Sequence, residues 1–248
     1  MYASLALFIA VIAPLPSLMR SMAQRVTPFR VVANGVIAGA VGALVVMVLA
    51  QIAGTNVFEQ LREQTELAIQ AITSTPEMAE TLGGDVSTAE LTKSLTTLYD
   101  QAIQLLPSTI CVIAAIASYI EYIILSKIYK PGGLAAIPMT KMREYNLPRN
   151  IVTVWLVLYL ISLLFTSTDG AAADFVVSNI VSIFNMLFML QGMSLVFMLC
   201  YTKRIPKVVA VVIILVLMGM NFGNLALEMA GFTDVLFGIK QRLKQKAA

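Results

Sequence analysis

The chain has 248 residues, of which 58% are hydrophobic and 12% charged, with a formal net charge of +3 and a mean hydropathy of +0.84. Soluble domains carry about 25% charged residues, so this composition excludes an ordinary soluble domain and predicts a membrane protein. The basic residues sit in short connections rather than in a continuous stripe, which excludes nucleic acid as a partner.

Hydrophobic stretches of roughly 20 residues with few charges predict transmembrane helices, and lipid tolerates no unpaired backbone outside helices or closed barrels. The first stretch, Tyr2–Met19, is shorter and interrupted by Pro14 and Pro16. No charge precedes Leu5, while Arg20, Arg25 and Arg30 follow it. That charge order is the reverse of a signal peptide and predicts an uncleaved first helix with its N-terminus outside. The second span, Val31–Gly54, carries Gly35, Gly39 and Ala43 at four-residue spacing. This is a small-residue ridge suited to close helix contact, within the chain or with a partner.

Residues 55–104 form the one long polar connection, rich in acids such as Glu59, Glu63, Glu66, Glu90 and Asp100. Apolar residues at helical spacing (Phe58, Leu61, Ala68 and Ile72, then Leu91, Leu95, Leu98 and Ala102) predict amphipathic helices. Asn56 with Glu59, Pro76 after Thr75, and Ser87 with Glu90 are start signals. Gly83–Gly84 is a stop between them. A helical extracytoplasmic cap follows, with Pro107 marking a bend or a helix start.

The third span, Leu105–Tyr129, contains Glu121, about 9 Å along a helix from Lys127. A carboxylate in a span is a functional candidate by default, against snorkelling or pairing with a loop cation. The fourth span, Asn150–Thr166, places Trp155, Tyr159, Ser162 and Thr166 on one face, as packing or as a cavity wall. In the fifth, Phe175–Tyr201, Asn185 and Gly192 share a stripe with Ser178 and Ser182, while Gln191 points about 100° away from Gly192. Both sides of this helix therefore need polar or small neighbours, which places it centrally in the bundle. Its polar groups either join helices or hold a ligand, and joining helices is the favoured reading.

Val208–Phe222 is a sixth span, but a simple crossing would leave Lys240, Arg242, Lys244 and Lys246 outside. A break near Met220–Asn224 offers an alternative, with Leu225–Ile239 turning back as a short, tilted or re-entrant seventh segment. Asn221, Asn224 and Glu228 share a stripe with Gly231 there, and would coordinate a cation or polar solute if the segment re-enters the membrane. Lys and Arg collect in the first, third and fifth connections, which makes those cytoplasmic and the 55–104 cap external.

The fold expected is thus an all-α integral membrane protein, a polytopic bundle of about six transmembrane helices with a helical extracytoplasmic insertion. Its divisions are 1–54, two spans; 55–104, the cap; 105–239, the remaining spans with basic cytoplasmic loops; and 240–248, a basic tail. Histidine is absent, which removes the commonest acid–base group and metal ligand. Cys111 and Cys200 both lie in apolar spans, against a disulfide framework or a cysteine-based zinc site. No enzymatic activity, cofactor or metal is expected.

Three stretches, "APLPSLMR" (Ala13–Arg20), "QGMSLVFMLCYTKR" (Gln191–Arg204) and "AGFTDVLFGIKQR" (Ala230–Arg242), give the chain a likeness. It resembles the uncharacterised bacterial membrane proteins typified by YybS. That family is similar in organisation to the substrate-binding S components of energy-coupling-factor vitamin transporters, and more distantly to the shape-determining protein MreD. The resemblance implies a compact helical bundle in a bacterial inner membrane, and no established site residues. Two functions are then expected to compete. One is a non-enzymatic subunit or assembly factor of a larger complex, docked to a membrane-protein partner through the Gly35/Gly39 ridge and the cap. The other is a small-molecule-binding or transport protein, its cavity lined by Glu121, Trp155, Tyr159, Asn185 and Gln191. Membrane lipid is a partner in either case.

Overall fold

The computed structural model describes residues 2–75, 87–166, 171–220 and 222–247. Pro76, the Gly83–Gly84 stop and Asn221 lie outside the described residues. The regular elements among the described residues are helical, and they divide into two units, Met1–Ile137 and Pro138–Ala248.

In the first unit, α1 (Tyr2–Ile12) and α2 (Pro14–Ala23) form a continuous apolar run. Pro14 sits in the first turn of α2, where its missing N–H is no loss. α3 (Pro28–Ile52) follows a turn that places Arg25 at a positive φ of 57°. The ridge on α3 is covered by the chain itself. A Cβ on Gly35 would lie 2.7 Å from Ser118 Oγ, and one on Gly39 would lie 2.6 Å from the Ala10 carbonyl oxygen. Ala43 joins Ala6, Ala10 and Ile110 in a core cluster. The ridge is therefore filled from within, not presented to a partner. Asn34 adds a polar clasp, its amide donating to Ser21 Oγ at 3.0 Å while Ser17 donates to the Asn34 carbonyl at 3.2 Å.

The polar pair, α4 (Val57–Ser74) and α5 (Thr88–Gln104), begins on the residues that the sequence marks. Asn56 Oδ1 accepts from the N–H groups of Phe58 and Glu59. Ser87 Oγ accepts from the Glu90 N–H at 3.3 Å and lies 3.0 Å from Glu90 Oε2. These contacts satisfy donors that a helix start leaves orphaned. Pro107 lies in the first turn of α6 (Leu106–Ile128), so it marks a helix start.

In the second unit, a connection with a 3₁₀ turn at Met142–Glu144 leads to α7 (Asn150–Thr166), α8 (Ala171–Thr202), α9 (Lys207–Gly219), α10 (Gly223–Phe237) and α11 (Ile239–Ala247). α8 and α10 meet backbone to backbone. A Cβ on Gly192 would collide with the Leu227 carbonyl, and one on Gly231 with the Phe188 carbonyl. α9 and α10 are bent by 120° at a short break, which lies where the alternative reading of the sequence put one, near Met220–Asn224.

Among the described residues, four helical stretches are long and apolar enough to cross a membrane: Tyr2–Ala23, Pro28–Ile52, Leu106–Ile128 and Asp174–Thr202. The bent pair makes a fifth if it is one broken span. The two other expected spans do not reach that length among the described residues, for two physical reasons. The fourth expected span is a shorter apolar helix, and the sixth is a 13-residue helix, about 20 Å long, that turns back at its end.

Candidate functional site

The polar residues of α8 converge with groups from three other elements of the second unit. Gln191 is completely buried. Its Oε1 accepts the Leu147 N–H at 3.0 Å, and its Nε2 donates to Asp234 Oδ2 at 2.6 Å and to Asn146 Oδ1 at 3.3 Å. One amide thus ties the 142–147 connection to α8 and α10.

One turn further along α8, Ser194 is equally buried. Its hydroxyl lies 2.7 Å from the Met142 carbonyl oxygen and 2.9 Å from that of Tyr145, sharing one proton between them. Ser194 Oγ in turn accepts from Lys240 Nζ at 2.8 Å. The Lys240 ammonium also donates to the Tyr145 carbonyl and lies 3.7 Å from Asp234 Oδ2.

The end of α10 makes this closure geometrically available. Gly238 adopts the left-handed conformation, φ 63° and ψ 38°, which a glycine takes without a Cβ penalty. The chain then turns so that the Lys240 N–H donates to Asp234 Oδ1 at 2.7 Å, and Asp234 caps the first turn of α11. Asp234 and Lys240 are each 2% exposed. Burial pulls the Lys240 ammonium down to about 8, against the opposing pull of Asp234. Burial likewise pushes the Tyr145 phenol up to about 12.

These groups form a closed polar junction. Every side chain in it is engaged by another part of the same unit, so its chemistry is that of a fastener. Of the residues singled out from sequence, Gln191 belongs to it, and Gly192 lets the α10 backbone at Leu227 come close beside it. Asn185 stands half-buried on α8 and contributes no bond to the junction. Trp155 stacks on Tyr159, with centroids 5.5 Å apart, and meets Phe188 and Phe232 edge-on at 6.2 and 5.7 Å. The aromatic face of α7 is thus packed against rings of α8 and α10, although Trp155 Nε1 is buried without a hydrogen-bond partner.

The remaining candidates do not join it. Glu121 belongs to the first unit, where it borders an open apolar groove with Val11, Ile113, Ile116 and Ile120. Its Oε2 is buried without a hydrogen-bond partner, so neither Lys127 nor a loop arginine pairs with that oxygen. Asn224 is exposed and Glu228 half-buried on α10. Among the described residues, no group of three or more cysteines or carboxylates is arranged to hold a metal. Sequence reasoning gave Ser194 no site role beyond its place in an apolar stretch, and missed Asn146, Asp234 and Lys240. The available signal was Asp234 itself, a carboxylate in an apolar run with a lysine six residues later. Lys240 belongs to the core of the unit and not to a solvated tail.

A family model described as "Predicted membrane protein (DUF2232)" matches residues 1–235. The chain belongs to this family. It is also 24% identical over 140 residues to a Bacillus subtilis (strain 168) relative described as "Uncharacterized protein YybS". That match covers 56% of this chain and 45% of the relative, so it spans less than half of the relative's length. The likeness to YybS expected from the three stretches above is therefore shown, and membership carries membrane residence with no assigned activity. No solved structure matches the chain.

Proposed function

We propose that this family member is a non-enzymatic subunit or assembly factor of a bacterial inner-membrane complex, with α4 and α5 outside the membrane as its docking surface. One observation carries the reading. Gln191, the most deeply placed amide of the central helix, is committed to Asn146, Leu147 and Asp234 of its own unit. A transport protein would aim such groups into a cavity, as few and convergent polar contacts. Here the same groups fasten helices, and the tryptophan expected to line a cavity is packed among three other rings. The absence of histidine also favours a non-catalytic role.

The outer pair supports docking by its composition. It buries Val57, Ile69, Leu91 and Ile103, yet leaves Leu67 and Leu98 more than 60% exposed among acidic neighbours. A partner with a basic rim and an apolar centre fits that face. The test replaces residues 57–104 by a short flexible linker in the tagged chain. The proposal expects a stoichiometric membrane partner to co-purify with the intact chain and to be lost from the shortened one. Retention of the partner by the shortened chain would refute the cap as the docking surface.

A further inference from the structure

The basic edge of the second unit holds a pocket that the fastening of α8 does not use. Its volume is about 270 Å³, and its walls come from the 141–143 turn, the end of α8 and the start of α9. Three cations border it, Lys141, Arg143 and Lys207, against apolar walls that include Phe197, Ile205 and Ala210. Arg143 is positioned in advance, its guanidinium carbon 3.7 Å above the centroid of the Tyr201 ring and its side chain 19% exposed. A cation held on an aromatic face keeps its planar fork for oxyanion recognition. The carboxylate beside it, Glu144, is 40% exposed and lies 3.8 Å from Arg143 Nε.

We propose that this pocket binds the phosphate headgroup of an anionic phospholipid. The three cations supply the charge complement, and Arg143 the bidentate donor. Juxtamembrane basic pockets between helices have the right chemistry for such headgroups. Two features select a lipid over free phosphate. The pocket walls are largely apolar, and an exposed apolar flank of α9 (Val208, Val211, Val212 and Leu215) begins one residue after Lys207 and gives acyl chains a path. The site does not depend on the partner proposed above.

The test uses the full chain, purified in mild detergent and offered equimolar phosphatidylglycerol and phosphatidylcholine, with retained lipid read by native mass spectrometry. Phosphatidylglycerol is expected to be retained in preference to phosphatidylcholine. Arg143→Gln and Lys207→Gln should each weaken that preference about five-fold, the factor for one basic residue near an anionic surface. A salt titration of the unsubstituted chain gives the same information without any variant, since the preference should fall as salt rises. Equal retention of the two lipids by the unsubstituted chain would overturn the proposal. Displacement of phosphatidylglycerol by millimolar inorganic phosphate would also overturn it, assigning the pocket to a free anion.

Discussion

Asp234 and Lys240 are unequal partners, and substitution should reveal it. Asp234 accepts from Gln191 Nε2 and from the Lys240 backbone N–H, at 2.6 and 2.7 Å, and also faces the Lys240 ammonium. Asp234→Ala removes all three interactions and strands a buried cation among neutral acceptors. Breaking a buried pair in this way costs about 3–5 kcal/mol. Lys240→Met is milder, because the backbone N–H and the Gln191 amide still serve the carboxylate, and Ser194 still reaches the Tyr145 carbonyl. Its loss should be about 1–2 kcal/mol, the scale of one hydrogen bond to a charged group. The double variant should be more stable than Asp234→Ala alone, since no uncompensated ammonium remains. Reversible unfolding in mixed micelles, followed by Trp155 fluorescence, measures all three. A Lys240→Met loss equal to or larger than that of Asp234→Ala would refute this account of the junction.

Other outcomes follow from the same geometry. Gly192→Val and Gly231→Val should each abolish the folded state in a thermal melt, because the added carbons meet backbone that cannot move aside. Gly219→Ala, with open space around it, should instead be neutral or stabilise by about 0.5 kcal/mol. Arg204 holds a positive φ of 55°, so Arg204→Gly should stabilise by about 1 kcal/mol in the same melt. Arg25→Gly should gain less, since Arg25 also donates to the Ala135 carbonyl at 2.7 Å. The junction also sets a pH profile. Lys240 titrates at about 8 when folded against 10.5 when free, so the unfolded chain binds more protons in that window and the junction's contribution should rise as pH increases through it. Tyr145, pushed from 10 to about 12, acts oppositely and takes stability away above pH 10. Melts of the unsubstituted chain and Lys240→Met from pH 7 to 11 should show the rise in the former and its loss in the latter.

The sequence carried the helical class and much of the helix punctuation, because both are local. Asn56, Ser87, Pro14 and Pro107 act within one turn of themselves, and their roles are legible from neighbouring letters. The small-residue ridge was legible as a contact, but not which helix would fill it. That is decided by Ser118, Ala10 and Pro14, far away along the chain. The number of spans was only partly legible for a related reason: hydropathy marks apolar length, and says little about whether a 13-residue helix crosses or turns back. In the site, the need of Gln191 for a polar partner followed from its position on α8. The identity of that partner did not, since Asp234 meets the amide across the contact of α8 with α10, and Lys240 is brought beside Asp234 by the left-handed turn at Gly238. Lys240 was placed with the basic tail because charge alone does not distinguish a solvated lysine from one folded back over a serine and a carboxylate.

Native mass spectrometry of the tagged chain, extracted gently from its own membranes, tests the central claim most directly. The account predicts a protein partner at fixed ratio, with the second unit closed by its own polar groups. A lone chain carrying a recurring small polar metabolite, released on Gln191→Leu substitution, would contradict it.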